Sequence, residues 1–182
     1  MMAMLRTHYD DHDAPSAGSN KDICMHAGGF IRRSQTCGSM VSRLSPEGSS
    51  HFFTGTSAPC LSLFQPAGFE EDISYYVVNP DEKTVAGSLW KRHEPLHRRL
   101  LFFDDERSDV RKTIAETENR IVAIYEQAGD RPERDQILEA DLLGRQWHEE
   151  MTDRFANKPV AYPFTLYGRF WKRADRKVPT LP

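Results

Sequence analysis

Residues 21–69 constrain the fold more than any other part of the chain: KDICMHAGGFIRRSQTCGSMVSRLSPEGSSHFFTGTSAPCLSLFQPAGF. The stretch is dense in small and hydroxyl-bearing residues and carries all three cysteines, Cys24, Cys37 and Cys60. Its apolar residues come in short runs parted by turn formers, which reads as successive strands rather than helices. Residues 23–27 form a short strand candidate, punctuated by Gly28 and Gly29. Residues 36–44 alternate small and apolar side chains, with Met40 and Leu44 on one parity. Ser45, Pro46, Glu47 and Gly48 make a turn. Residues 51–56 and 60–64 are two further strand candidates, parted by Ala58 and Pro59. Strands at this spacing, joined by short turns, imply antiparallel pairing.

The pattern changes beyond Phe69. Residues 70–79 form an acidic, then Tyr- and Val-rich connector. Three helical stretches follow, at 90–103 with Pro95 near its start, at 109–128 and at 133–155. Val110, Ile114, Ile121, Tyr125 and Ala128 recur at one- or two-turn spacings, and Leu143, Trp147, Met151 and Phe155 lie four apart. Each stripe marks an amphipathic helix that needs a sheet or partner to cover it. Gly129 stops the second helix. The predicted organisation is a flexible N-terminal segment at 1–20, an antiparallel β region at 21–79, a helical region at 80–158 and an aromatic, then basic tail at 159–182.

The length of 182 residues suits one domain with a sizeable core. Lys plus Arg is 24 against 27 for Asp plus Glu, a net charge of -3. That balance argues against a general nucleic-acid surface. The basic runs at 91–99 and 169–177 read as solvated faces. No apolar run approaches the roughly 20 residues of a membrane span, and the N-terminus lacks the apolar centre of a signal peptide. An odd number of cysteines, spaced unlike any zinc-binding pair, points to a reduced, cytoplasmic setting, with a single disulfide left open.

His93, Glu94, Pro95, Leu96 and His97 match H-E-x-x-H, in which two histidines one helical turn apart bind zinc and the glutamate activates the metal's water. Pro95, however, belongs at the first position of a helix. A helix starting there leaves His93 outside and spoils the two-histidine face. The flanking Lys91, Arg92, Arg98 and Arg99 repel a dication. A local packing and capping role for this block is the expectation, and no metal or other cofactor is called for.

An internal cysteine nucleophile needs a nearby base or a lowered pKa. Cys60, in Ala-Pro-Cys, and Cys24 read instead as buried structural thiols, and Cys37 as a packing residue. His26, Gln35, Thr36, Ser39, Thr54 and Thr56 are polar side chains within the otherwise apolar strand group. They are the candidate substrate-binding residues. The alternative, that they satisfy one another's hydrogen bonds, is the expected role for each.

Four blocks carry a resemblance: ICMHA at 23–27, SQTCGSMVSRL at 34–44, TGTSAPCLSLFQP at 54–66 and LWKRHEPLHR at 89–98. In this order they resemble the C-terminal part of the core domain in the cysteine dipeptidase and secernin family of N-terminal-nucleophile hydrolases. The resemblance covers about residues 1–105 and the later helices loosely. It implies an α+β fold, part of the family's αββα sandwich of two stacked antiparallel sheets between helical layers. It implies hydrolysis of a small peptide or other linear amide by a cysteine at the mature N-terminus. This chain begins MMAMLRTHYDD. The attacking residue is therefore expected from elsewhere, and the expected partner is the N-terminal portion of such a hydrolase or a second copy of the chain. A similar W-x-R-H-E-x-L-H-R block recurs in the family without being a zinc site. Two other readings stand beside this one, a non-catalytic secernin-like interaction protein and a zinc peptidase built on His93 and His97. An unpaired sheet edge and uncovered apolar stripes, and hence association, are expected of the chain alone.

Overall fold

A computed structural model describes residues 1–9, 14–46, 48–67, 89–129 and 132–176. The connector expected at 70–79, Glu47 of the expected turn and residues 177–182 of the tail lie outside the described residues. Among those described, the architecture is mixed α+β. One antiparallel sheet, in the order β1-β2-β3, is built from β1 (Met40–Leu44), β2 (Ser49–Phe53) and β3 (Gln65–Ala67). Four helices follow: α1 (Leu89–Leu100), α2 (Asp104–Ala128), α3 (Arg134–Ala156) and α4 (Leu166–Asp175).

The β1–β2 register sets Met40 opposite Phe53 and Leu44 opposite Ser49. Ser45 and Gly48 close the hairpin, with the Ser45 N–H on the Gly48 carbonyl at 2.9 Å. In β3, Pro66 stands opposite Phe52. Proline donates nothing to a ladder and belongs on such an outer strand.

Three strand expectations are corrected. Residues 23–27 run irregularly. Their backbone groups turn to other partners, Cys24 N–H to the Thr7 carbonyl at 3.1 Å and Met25 N–H to Thr36 Oγ1 at 3.0 Å. Regular pairing in the next block begins only at Met40 and not at Thr36. Residues 59–61 form a tight 3-10 turn where a strand was expected. Ala58 explains it: its φ of 58° reverses the chain, and Pro59 then opens the turn.

The long helices follow their stripes. Val110, Ile114, Ile121 and Tyr125 of α2 are buried, as are Trp147, Met151 and Phe155 of α3. α2 begins earlier than the apolar periodicity indicates. Asp104, Asp105 and Glu106 fill its first turn, where carboxylates meet the positive end of the helix dipole. Glu133 caps α3, its N–H held by Gln136 Oε1 at 2.9 Å. The helix at α4 was not foreseen within the tail. Thr165 caps it by accepting the Gly168 N–H at 3.1 Å. Tyr167 and Trp171, four apart, are its buried face.

The stripes cover one another and close onto the sheet. The Trp147 indole N–H reaches Thr113 Oγ1 at 3.0 Å, joining α3 to α2. Phe52 of β2 meets Tyr125 edge-on, with ring centres 4.9 Å apart. The Trp171 indole N–H donates to the Ala27 carbonyl at 3.1 Å and fastens α4 across the loops. Met40 and Leu44 of β1 remain largely exposed. No helix among the described residues is long and apolar enough to cross a membrane.

Candidate functional site

Two groups of polar side chains lie under the loops of residues 1–67. The first is a cluster of His8, Cys24, His26 and Cys60, whose ligand-type atoms all lie within 4.8 Å of one another. His26 Nε2 is its hub. It stands 3.1 Å from His8 Nε2, 3.3 Å from Cys60 Sγ and 3.9 Å from Cys24 Sγ. Cys24, His26 and Cys60 are buried and His8 is half-buried. The expectation that these cysteines lack a metal-binding arrangement rested on their spacing along the chain. The fold brings Cys24 and Cys60 together and sets two imidazoles beside them.

The cluster is positioned from outside. His8 follows the 3-10 turn Met4–Arg6. Arg6 sends its guanidinium to the Pro59 and Ser62 carbonyls, each at 2.8 Å, and to the Glu118 carboxylate of α2. Glu118 also accepts the Phe64 N–H at 2.7 Å. One part-buried ion pair thus clamps the segment bearing His8 to the turn bearing Cys60. The Cys24 N–H on the Thr7 carbonyl ties in the third segment.

Burial holds the His26 imidazole below its ordinary pKa, against an opposing pull from Cys60. The two thiols are polarised in opposite senses. Cys24 is pushed up by its hydrogen bond to Cys60 and then by burial. Cys60 is pulled down by that same bond, with His26 and His8 adding to it against the effect of burial.

The second group is centred on α1. His93 lies inside that helix, which continues through Pro95, so the expected helix start at Pro95 is corrected. The two histidines stack one turn apart, with ring centres 6.5 Å apart. They do not share a metal-like arrangement. His93 Nε2 meets Ser62 Oγ at 3.1 Å and its Nδ1 meets His148 Nε2 of α3 at 3.2 Å. Glu94 accepts from Ser57 Oγ and from Arg98 Nε, both at 2.9 Å. His97 Nδ1 stands 3.6 Å from the same carboxylate. Burial favours the protonated acid, but His97 and Arg98 outweigh it and hold Glu94 at about 2. Arg98 passes the chain of contacts on to Asp175 of α4 at 3.0 Å. Burial, with His148 and His97 nearby, holds His93 well below its ordinary value, so the ring is neutral.

The candidate substrate-binding residues divide between these groups and the loop fastenings. His26 is the hub of the first group. Gln35 joins the second, its Nε2 donating to Ser57 Oγ at 3.0 Å. Thr36 Oγ1 donates to the Ile23 carbonyl at 3.1 Å. Thr54 Oγ1 accepts the Ser39 N–H and the Thr54 N–H donates to the Ser39 carbonyl, each at 3.0 Å. Thr56 Oγ1 donates to Ser62 Oγ at 2.8 Å. Cys37, expected to pack, is exposed instead.

The sequence reading passed over His8, Ser57, Ser62, Glu118 and His148. Glu118 carried a signal, for it falls on the apolar stripe between Ile114 and Ile121. Cys24 and His26, two residues apart, carried another. His8 and Cys60 carried none that spacing reveals.

No family model matches the chain, and no curated protein or solved structure matches it either.

Proposed function

We propose that the chain is the C-terminal part of a secernin-like cysteine dipeptidase or related amide hydrolase, acting in a reduced, cytoplasmic setting, with its nucleophilic cysteine supplied by another segment. One observation supports this reading: the four blocks that resemble the family are joined to one another by polar contacts, buried at Ser57, Ser62, His93 and Glu94 and part-buried elsewhere. Gln35 of the second block contacts Ser57 of the third, and Ser57 contacts Glu94 of the fourth. Ser62 of the third block contacts His93 of the fourth. Met25 of the first donates to Thr36 of the second. Most buried polar groups are hydrogen-bonded, and contacts such as Ser57–Glu94 and Ser62–His93 fix the mutual placement of segments distant in sequence.

In this reading the set of contacts is a scaffold. It would hold the loops of residues 23–39 and 54–62 against the nucleophile-bearing part of an αββα sandwich. The reaction is attack of a thiolate on the carbonyl of a small peptide or linear amide, with backbone and side-chain donors on the oxyanion and later hydrolysis of the thioester. Cys60 is poorly placed for the attack itself, being only 3% exposed and enclosed by Cys24 and His26.

The test is release of amino acids from a dipeptide panel, by the purified chain alone and with a cysteine-led N-terminal segment of a family hydrolase. The expected result is turnover only in the combination. Turnover by the chain alone, abolished by Cys60→Ala, would make Cys60 the nucleophile. Tight binding of the two parts without turnover would favour a non-catalytic interaction protein.

A further inference from the structure

We propose that His8, Cys24, His26 and Cys60 form a closed, structural zinc site of the Cys2His2 type. The inference is independent of the hydrolase reading and needs only the side chains already placed.

The distances carry it. With Zn–N of about 2.0–2.1 Å and Zn–S of about 2.3 Å, a tetrahedral shell has N–N edges of about 3.3 Å and N–S edges of about 3.6 Å. The His8–His26 nitrogen pair is at 3.1 Å, and the His26 nitrogen stands 3.3 Å and 3.9 Å from the two sulfurs. Every pair among the four lies within 4.8 Å. The three distances from His26 are close to those between ligands around one small ion, and the widest pair needs only a small movement to join them.

Hydrogen bonding accounts for the same arrangement poorly. An imidazole nitrogen offers one in-plane position, either a lone pair or an N–H. Three heteroatoms converge on that one position of His26. The ring's other nitrogen, Nδ1, is buried with no hydrogen-bond partner among the described residues. A cation at the centre would satisfy all four groups at once.

The charge balances too. Two thiolates and two neutral imidazoles around a divalent ion give a neutral centre, the form in which charged groups are tolerated in a buried site. Binding releases the thiol protons to solvent and requires no redox partner. A tetrahedral S2N2 donor set selects zinc over harder cations such as magnesium or calcium. Four protein ligands leave no open position, which marks the role as structural rather than catalytic. What the metal would hold together is clear from the chain. The ligands come from three separate loop segments: Arg6 gathers those of His8 and Cys60 against Glu118, and the Cys24 N–H on the Thr7 carbonyl ties in the third.

The experiment uses the full chain, purified under reducing conditions with zinc supplied and then desalted. Elemental analysis should find about one zinc per chain. Replacement by cobalt should give the intense visible bands of a tetrahedral ion together with a thiolate-to-cobalt charge-transfer band in the near ultraviolet. A chromogenic thiol reagent should titrate only Cys37 at first and all three cysteines after chelation. Cys24→Ser and Cys60→Ser should lose the metal, and Cys37→Ser should keep it. If the two variants fail to fold, the zinc content and cobalt spectrum of the unaltered chain decide the matter. Three results would overturn the proposal. One is a metal-free chain; another is bound cobalt without the charge-transfer band. The third is zinc retained in full by a folded Cys24→Ser variant, which would direct attention to His93 and His97. Because none of these readouts is amide turnover, a missing metal and a missing hydrolase activity remain separate outcomes.

Discussion

The two halves of this core are held by different kinds of contact. α2 and α3 meet along apolar stripes, and the sum of many small contacts holds them. The described part of residues 1–67 contains three short strands among loops; it adds Phe52, Leu61, Leu63 and Phe64 to the core, and a few named polar contacts join its distant segments. The first kind degrades gradually, because packing energy scales with the area and volume removed. The second fails abruptly, since removing one partner strands another in a dry interior. Chemistry-bearing side chains gather where the two kinds meet: His8, Cys24, His26 and Cys60 come from the loops, and His93, Glu94, Glu118 and His148 from the helices beneath them.

The largest effect should come from the helical half. Phe155 is fully buried. Phe155→Ala should cost about 3–5 kcal/mol, read as a lower urea midpoint. A loss below about 1 kcal/mol would mean that the stripe collapses around the gap and that packing is not what holds α2 to α3.

Arg6→Ala tests the loop half. It leaves the Glu118 carboxylate buried without its cation and should cost about 3 kcal/mol. Arg6→Lys should restore little, because a point charge cannot reach the Pro59 and Ser62 carbonyls and Glu118 together. Full rescue by lysine would reduce the clamp to a simple charge contact.

Acid should distinguish the halves. His93 has a depressed folded value, so the folded chain binds fewer protons there than the unfolded chain does. Its contribution is intact above about pH 6.5 and is lost as pH falls below it. Glu94, held at about 2, contributes stability that is present above the unfolded value of about 4.3 and lost as pH falls towards 2. Asp141 of α3 runs the other way. Burial raises its folded value against the pull of Arg145, so its contribution favours acid and is lost as pH rises through that value. Thermal melts between pH 7 and pH 2 should therefore show stability falling first below about 6.5 and again below about 4.3, by about 3 kcal/mol for Glu94. Glu94→Gln should flatten the lower step. An unchanged step would assign it elsewhere.

Smaller effects sharpen the boundary between the halves. A Cβ at Gly168 would stand 2.1 Å from the Pro163 carbonyl oxygen, so Gly168→Ala must shift α4. A cost of about 1–3 kcal/mol is expected, together with altered fluorescence of Trp171, which α4 seats on Ala27. Cys37→Ser, at the exposed surface, should change the midpoint by less than about 0.5 kcal/mol.

The same division governed what could be read from the sequence. α2 and α3 were legible because Ile114, Ile121, Trp147 and Phe155 repeat at the period of the helix that buries them. α4 was overlooked because aromatic, basic and proline-flanked residues obscure a helix whose buried face is only Tyr167 and Trp171. Strand candidates at 23–27 and 60–64 were overextended. There, short apolar runs serve backbone that pairs with Thr7 and Thr36 or turns at Ala58, and an alanine gives no hint of a left-handed residue. His26, a candidate substrate-binding residue by sequence, stands at the hub of the first cluster. Its company was not legible, because proximity to His8 and Cys60 is created by the clamp at Glu118 and not by any spacing along the chain.

Arg6 and Glu118 are 112 positions apart in the chain, and this separation has a kinetic consequence. α2 and α3 are neighbours in sequence and can dock soon after they form, whereas Arg6 has nothing to grip until α2 exists. During refolding, Cys24 and Cys60 should stay open to solvent after the helical signal has returned. A pulse of alkylating reagent in that interval should mark both thiols, and the same pulse on the finished chain should mark only Cys37. The interval before closure is when the molecule is most vulnerable to oxidants.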